Sequence, residues 1–343
     1  MFCNARVMAC STIVMSKERD YALDAYRVFL MCGICFLHVS GPSCHHATPL
    51  LSNLFYWCVP GFVLISGWFG LTFSVGKPLR LYGLALYAAL IAYCCMRMLH
   101  EPFNVVDAVR MFRSYWFLNS YVVLLLLSPA LNRLCDDYSS SWVLPLLAIP
   151  FVWGFLATVP WVCHFVPQCP SISPYSPFMM IGVYVVGRFL RKHEAMLNAV
   201  LKFKGWIYLS VLGCVVLCAV GLCEYTSPFS MVLAIVTFYW CRRSLLMRRL
   251  GMLLGWSLPS LFTIYLLHSR QAFGLAIISN CEAHLIERGV PLLCVYLIMT
   301  IVVFSVCLLA DMPRRLLSWL LFRSHMGLTH HFRKDKRYGR EYT

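Results

Sequence analysis

Charged residues are scarce in this 343-residue sequence, where 13% of positions are charged and Asp and Glu together number only 14. A soluble globular domain usually carries charge at about a quarter of its positions. A disordered chain has few apolar residues, whereas 60% of this sequence is hydrophobic. The scarcity of charge therefore excludes both classes and indicates an integral membrane protein.

Long polar stretches and internal repeats are also missing, so the sequence offers no room for a separate soluble domain between its apolar runs. Runs of about 17–25 apolar residues can each cross the hydrocarbon core of a bilayer as a helix. Ten such runs predict an all-α membrane protein with ten transmembrane helices. The predicted spans are residues 22–41, 50–73, 80–99, 115–133, 142–160, 177–190, 205–223, 228–247, 256–279 and 290–310.

The distribution of Lys and Arg predicts that both termini are cytoplasmic. With the N-terminus inside, most of the 29 Lys and Arg residues fall on inner segments, as the positive-inside rule requires. The formal net charge of +15 then reflects topology and attraction to anionic membrane lipid, and it needs no nucleic-acid partner. We expect a cytoplasmic leader at 1–19, a transmembrane domain at 20–315 and a basic cytoplasmic tail at 316–343. A start at Met1 or at Met15 stays open.

Most of the 18 cysteines lie within apolar runs, where Cys behaves as a small hydrophobic residue. Whether Cys163 pairs with Cys169 stays open, because a disulfide in a short loop needs particular Cα geometry. The histidines of the outer segments show no metal-ligand spacing, so no metal site is predicted.

Three ionisable residues, Asp24, Arg27 and His38, lie in the first predicted span. Such groups are costly at membrane depth and are functional candidates by default. Asp24 and Arg27 are three residues apart and can pair on a helix. Arg27 and His38 are eleven positions apart, which is about three turns, so both project from one face, about 16 Å apart along the axis. The alternative is that Arg27 extends to the interface and His38 only hydrogen-bonds a neighbouring helix.

Three further features of the sequence each allow a functional and a purely structural interpretation. Gly67 and Gly70 interrupt the second apolar run, which favours close helix contact or backbone approach to a ligand. Lys77 and Arg80 provide two cations that could bind a phosphate. The alternative is that they only mark a cytoplasmic segment, as the positive-inside rule requires. His268 is a second intramembrane histidine that either faces a cavity or hydrogen-bonds within the core.

The first-span residues resemble a known family. Leu23-Asp24-Ala25-Tyr26-Arg27 followed by Phe36-Leu37-His38 is similar to the first-helix signature of the acyltransferase 3 family, membrane O-acyltransferases that modify surface polysaccharides, antibiotics and related glycans. Leu64-Ile65-Ser66-Gly67-Trp68-Phe69 resembles the motif that ends its second helix. The basic motif before its third helix usually has two arginines, so Arg80 fits and Lys77 departs from it. Further similarities, within a resemblance over about residues 20–315, are Trp116-Phe117-Leu118 with Tyr121 and Pro129, Gly182 to Arg188, and Ile264 to His268.

The resemblance implies helices around a central cavity and transfer of an acyl group, commonly acetyl, from cytosolic acyl-CoA to a hydroxyl of a cell-surface polysaccharide or lipid-linked glycan. It implies a bacterial cytoplasmic (inner) membrane protein in the short form, without an appended soluble domain. His38 and Arg27 are the expected catalytic residues, and Arg27, Arg80 and Lys77 are expected to bind coenzyme A. Supporting roles are expected for Asp24, Ser66, Gly67, Trp116, Tyr121 and His268.

Ten helices with buried charges also suit a secondary transporter or a flippase of sugar or lipid-linked glycan. The missing internal repeat counts against that alternative, and the ordered set of motifs favours the enzyme. The sequence specifies no oligomeric state.

Overall fold

The computed structural model of the chain describes residues 19–41, 48–98, 100, 104–137, 177–202, 204–219, 227–268 and 275–321. Every regular element in these ranges is a helix, and the ranges contain no strand. The predicted fifth span at 142–160, the pair Cys163 and Cys169, residues 1–18 of the predicted leader and the tail beyond residue 321 lie outside the described residues.

The helices follow the apolar runs, with shorter helices between them. A 3₁₀ turn covers Leu258–Ser260, and helical backbone continues over 312–321 after the last helix, past the predicted boundary at 315. The described helices are α1 (Tyr21–Val39), α2 (Pro49–Asn53), α3 (Cys58–Phe69), α4 (Gly76–Met98), α5 (Val105–Ser114), α6 (Trp116–Asp137), α7 (Pro177–Lys192), α8 (Glu194–Val200), α9 (Lys204–Ala219), α10 (Pro228–Arg243), α11 (Leu245–Leu254), α12 (Leu261–Leu267), α13 (Leu275–Glu287) and α14 (Leu292–Ala310).

Within the described ranges, five helical segments are long and apolar enough to cross a membrane, and the bent pair α10 and α11 makes six if it is one span. The predicted sixth, seventh and ninth spans correspond to shorter helices, since α7 and α9 have 16 residues each and α12 has 7. The five segments are Tyr21–Val39, Pro49–Phe69, Gly76–Met98, Trp116–Asp137 and Leu292–Leu321. The chain is therefore a multi-pass, all-α membrane protein.

The prediction of one helix over 228–247 was wrong. The chain bends by 85° between α10 and α11. Ser244 at the junction has extended backbone, with ψ of 123°, and its side chain caps α11 by accepting a hydrogen bond from the Met247 amide at 3.3 Å. The capping side chain thus satisfies the Met247 amide, which a continuous helix would have bonded to a backbone carbonyl.

The predicted ninth span, 256–279, is not one helix over its described part either. The 3₁₀ turn at Leu258–Ser260 leads into α12, which ends at Leu267 with His268 as its C-cap residue. His268 thus lies at the C-terminal end of α12, with its side chain buried.

The central helix is α1, which contacts α3, α10, α11, α12 and α14. Most of its side chains are buried, including Leu23, Tyr26 and Leu30 at 0% exposure. By contrast, α4, α6 and α14 expose large apolar side chains such as Leu86, Leu126 and Ile301, as lipid-facing helices do. Because α1 is surrounded by other helices, the Asp24 carboxylate is buried inside the protein, whereas the His38 side chain is exposed.

A close helix crossing joins α3 to α7 at Gly67 and Gly187. A Cβ atom added to Gly67 would lie 2.2 Å from the Tyr184 carbonyl oxygen and 3.0 Å from the Gly187 Cα atom. Only a residue without a side chain fits there, as in small-residue packing of membrane helices. Gly67 therefore lies at a close helix contact, one of the two alternatives that its motif left open.

Candidate functional site

One stripe of α1 forms a wall of a partly open cavity of about 340 Å³. Arg27, Met31, Ile34 and His38 all line it. Their spacing of four, three and four residues keeps them on one helical face. The structure therefore places Arg27 and His38 on a shared face and on the same cavity, as the eleven-residue spacing predicts.

The opposite walls of the cavity are mainly aromatic. Phe62 comes from α3, Trp116 and Phe117 from α6, and Phe262 and Tyr265 from α12. The remaining lining residues are Val59, Leu258 and Leu261. Ligand sites commonly combine such apolar walls with a few placed polar groups. Here the polar groups from α1 are a guanidinium towards one end and an imidazole towards the other.

Arg27 is held by the buried carboxylate of Asp24, which is 4% exposed. Its Oδ1 accepts a hydrogen bond from Arg27 Nη1 at 2.8 Å, and its Oδ2 accepts one from Arg19 Nε at 2.6 Å. The Arg27 guanidinium also lies 5.5 Å from the centroid of the Phe69 ring. These contacts fix the orientation of the Arg27 guanidinium at the cavity wall.

Arg19 is a partner that sequence analysis missed. The hydrogen bond that Arg19 donates to the Asp24 carboxylate raises the pKa of Arg19, because it favours the charged guanidinium. The sequence contains only a weak indication of this pair, because Arg19 and Asp24 are five residues apart and helical ion pairs normally have a spacing of three or four.

His38 and His268 meet beside the cavity, with ring centroids 5.0 Å apart. His268 is buried, and its Nδ1 lies 2.8 Å from the Ile264 carbonyl oxygen. Because a carbonyl only accepts, Nδ1 carries the proton and Nε2 keeps a lone pair. Within the described part of the chain Nε2 has no hydrogen-bond partner. The His38 side chain, in contrast, is exposed to the cavity that it lines.

Ser66 and Tyr121 connect α3 to α6 near the same cavity. The two hydroxyl oxygens are 3.3 Å apart, and Ser66 Oγ also donates to the Phe62 carbonyl at 3.2 Å. The Tyr121 ring stacks on Phe117 with centroids 5.8 Å apart. The predicted supporting residues Ser66, Trp116 and Tyr121 are therefore brought together around the cavity.

Lys77 and Arg80 lie elsewhere, exposed in the first turn of α4. Lys77 Nζ donates to Thr72 Oγ1 at 2.6 Å and to the Thr72 carbonyl. Neither cation is part of the lining shared by Arg27 and His38. The structure does not join this predicted phosphate pair to the cavity.

The aromatic wall residues Phe117, Phe262 and Tyr265 were not among the predicted site residues, although Phe117 and Tyr265 lie inside motifs of the resemblance. Over the ranges that the structure describes, no group of three or more His, Cys, Asp or Glu side chains is arranged to hold a metal ion.

A family model described as an acyltransferase domain, that of acyltransferase 3, matches residues 20–312 of the chain. The matched segment includes every helix from α1 to α14 and both histidines of the cavity. No curated protein and no solved structure matches the chain.

Proposed function

The chain belongs to this acyltransferase family, and we propose that it moves an acyl group, acetyl in the first instance, from cytosolic acyl-CoA to a hydroxyl of a cell-surface polysaccharide or lipid-linked glycan. The observation that carries the proposal is the joint presence of Arg27 and His38 on one largely apolar cavity. The family membership and this cavity together favour acyl transfer over transport.

His38 is the proposed catalytic residue because neutral imidazole is an effective base near neutral pH. The acceptor hydroxyl gives its proton to His38 as its oxygen bonds to the acyl carbon. The bond from that carbon to the sulfur of coenzyme A breaks, and the proton passes to the leaving thiolate. A second route has the imidazole itself accept the acyl group before the hydroxyl does. In both routes the exposed His38 ring contacts the reacting atoms, and His268 supports it from behind.

Arg27 is proposed to stabilise negative charge on the donor. Its planar guanidinium, held by Asp24, presents donors in a fixed orientation to a phosphate or to the charge that develops on the acyl oxygen. The apolar walls around it exclude water, which strengthens such contacts and limits hydrolysis of the thioester. Lys77 and Arg80 remain proposed phosphate ligands at the start of α4.

We further propose ten spans with both termini cytoplasmic, in the inner membrane of a bacterium, with a leader at 1–19, a transmembrane domain at 20–315 and a tail at 316–343. The start of α1 and the bend between α10 and α11 would then face the cytoplasm. Arg19, Arg242, Arg243 and Arg248 lie at that end, which agrees with the positive-inside rule.

Glycan mass spectrometry tests the proposed reaction in cells. We expect deletion of the gene to remove an acetyl mass increment from surface glycan, and the wild-type gene to restore it. The His38→Ala gene should produce a normally inserted protein that does not restore the acetyl mass increment. Glycan that reaches the surface only in the presence of the protein, with unchanged mass, would contradict acyl transfer and favour a transporter.

A further inference from the structure

A second cavity, of about 410 Å³, lies at the N-terminal end of α1. We call it the arginine pocket, since Arg19, Arg242, Arg243 and Arg248 line it. The 85° bend after α10 turns the last residues of α10 and the first turn of α11 towards the same space. A straight helix would have separated Arg243 from Arg248 by more than a full turn.

Two of these four arginines already have carboxylate partners. Arg242 Nη1 lies 2.5 Å from Glu194 Oε1, and Arg19 is bound to Asp24. Arg243 donates instead to the Tyr239 hydroxyl, and neither Arg243 nor Arg248 forms an ion pair with any described residue. The pocket thus presents two guanidinium groups whose charge no described carboxylate balances. Guanidinium is the side chain best suited to phosphate, through bidentate hydrogen bonds.

The pocket also offers guanidinium planes, which are held against the buried rings of Trp68 and Tyr239. The Arg242 and Arg191 guanidiniums lie 4.7 and 5.1 Å from the Trp68 ring centroid, and Arg243 lies 4.7 Å from the Tyr239 ring centroid. Aromatic rings and guanidinium planes both stack on nucleotide bases. Phosphate-binding cations next to stacking surfaces fit a nucleotide better than a simple inorganic anion.

The arginine pocket adjoins the catalytic cavity along α1. Ala22 lines the pocket and Arg27 lines the cavity, five residues or about 8 Å farther along the helix axis. Asp24 lies between them and bonds to Arg19 of the pocket and to Arg27 of the cavity. Five residues turn a helix by about 140°, so the pocket and the cavity lie on different faces of α1 and are connected through the ion pairs of Asp24.

We propose that the arginine pocket binds the phosphorylated nucleotide of the acyl donor, with Arg243 and Arg248 as its phosphate ligands. The inference rests on the proposed function, because that function supplies the donor. It assigns the nucleotide to the bend between α10 and α11 and leaves the thioester for the cavity of Arg27 and His38.

Binding of labelled adenosine 3′,5′-bisphosphate to the full-length protein tests this assignment, in nanodiscs of phosphatidylcholine. We expect Arg243→Gln and Arg248→Gln each to weaken binding about tenfold or more, the range for lost charge-assisted hydrogen bonds. Arg243→Lys should fall between, because it keeps the charge and loses the planar fork. Arg249→Gln is the matched control, an exposed arginine next to Arg248 that does not line the pocket, and should bind like the wild type.

Competition identifies the source of the phosphate. We expect unlabelled bisphosphate to displace the probe, and adenosine or inorganic phosphate to displace it poorly. Wild-type affinity in Arg243→Gln and Arg248→Gln would overturn the proposal. Loss of nucleotide binding in nanodiscs that contain phosphatidylglycerol would also overturn it, because the pocket would then hold a lipid headgroup.

Turnover separates this inference from the proposed function. If Arg243→Gln acylates glycan with an unchanged KM for acyl-CoA, the pocket assignment is wrong and the acyltransferase stands. If the arginines bind the bisphosphate but the wild-type protein transfers no acyl group, the nucleotide site is supported and the proposed reaction is wrong.

Discussion

Replacing Gly67 with alanine tests the crossing that holds α3 against α7 beside the cavity. The new Cβ would lie 2.2 Å from the Tyr184 carbonyl oxygen, more than 1 Å short of ordinary van der Waals contact. Both that oxygen and the nearby Gly187 Cα are backbone atoms, so no side-chain rotation relieves the clash. Overpacking of this kind typically costs 1–3 kcal/mol, and we expect a loss of about 3 kcal/mol because the helices themselves must separate.

The matched control is Gly83→Ala in α4, where an added Cβ meets no atom within 4 Å. Both substitutions gain the same helix propensity, about 1 kcal/mol, so the difference between them isolates the crossing. Thermal unfolding of each purified protein in detergent, followed by tryptophan fluorescence, should show a lower midpoint for Gly67→Ala and a slightly raised midpoint for Gly83→Ala. Equal midpoints for the two variants would refute the close crossing.

The remaining predictions concern the donor and the topology. Arg27→Lys should raise the KM for acyl-CoA or lower kcat, measured in purified protein, because lysine lacks the planar fork that Asp24 holds. Arg80→Ala should raise the KM for acyl-CoA if the start of α4 binds a donor phosphate, and an unchanged KM would remove it from the site. Cysteines introduced at the exposed positions Lys202 and Glu287 should be labelled in intact cells only at Glu287, relative to the parent chain. Outside labelling of Lys202→Cys would contradict the ten-span topology.

Local helical periodicity explains which parts of the site could be predicted. Asp24, Arg27 and His38 lie on one helix, so their spacing alone placed Arg27 and His38 on one face and Asp24 within reach of Arg27. The Gly67 motif likewise indicated close contact because glycine has no side chain, although its partner Gly187 lies far away in the sequence.

Contacts between distant segments and bends set by one residue could not be predicted in this way. His38 and His268 were each singled out, but their ring contact depends on where α12 ends beside α1. The bend at Ser244 depends on the backbone of a single capping residue within an apolar run that also suits a continuous helix. The arginine pocket depends on that bend. From the sequence alone, its arginines therefore indicated only which side of the membrane their segments face.

Acyl transfer by His38→Ala protein is the most direct test of the central claim. Purified wild-type and variant proteins in nanodiscs would receive labelled acetyl-CoA and glycan from deletion cells, with His268→Ala as the comparison. We expect His38→Ala to lose at least about 100-fold in rate, the usual contribution of a general base, and His268→Ala to lose less. Insertion should persist, since one polar helix contact in a membrane protein is worth only about 0.6 kcal/mol on average. A wild-type rate of acetylation by correctly inserted His38→Ala protein would contradict the account.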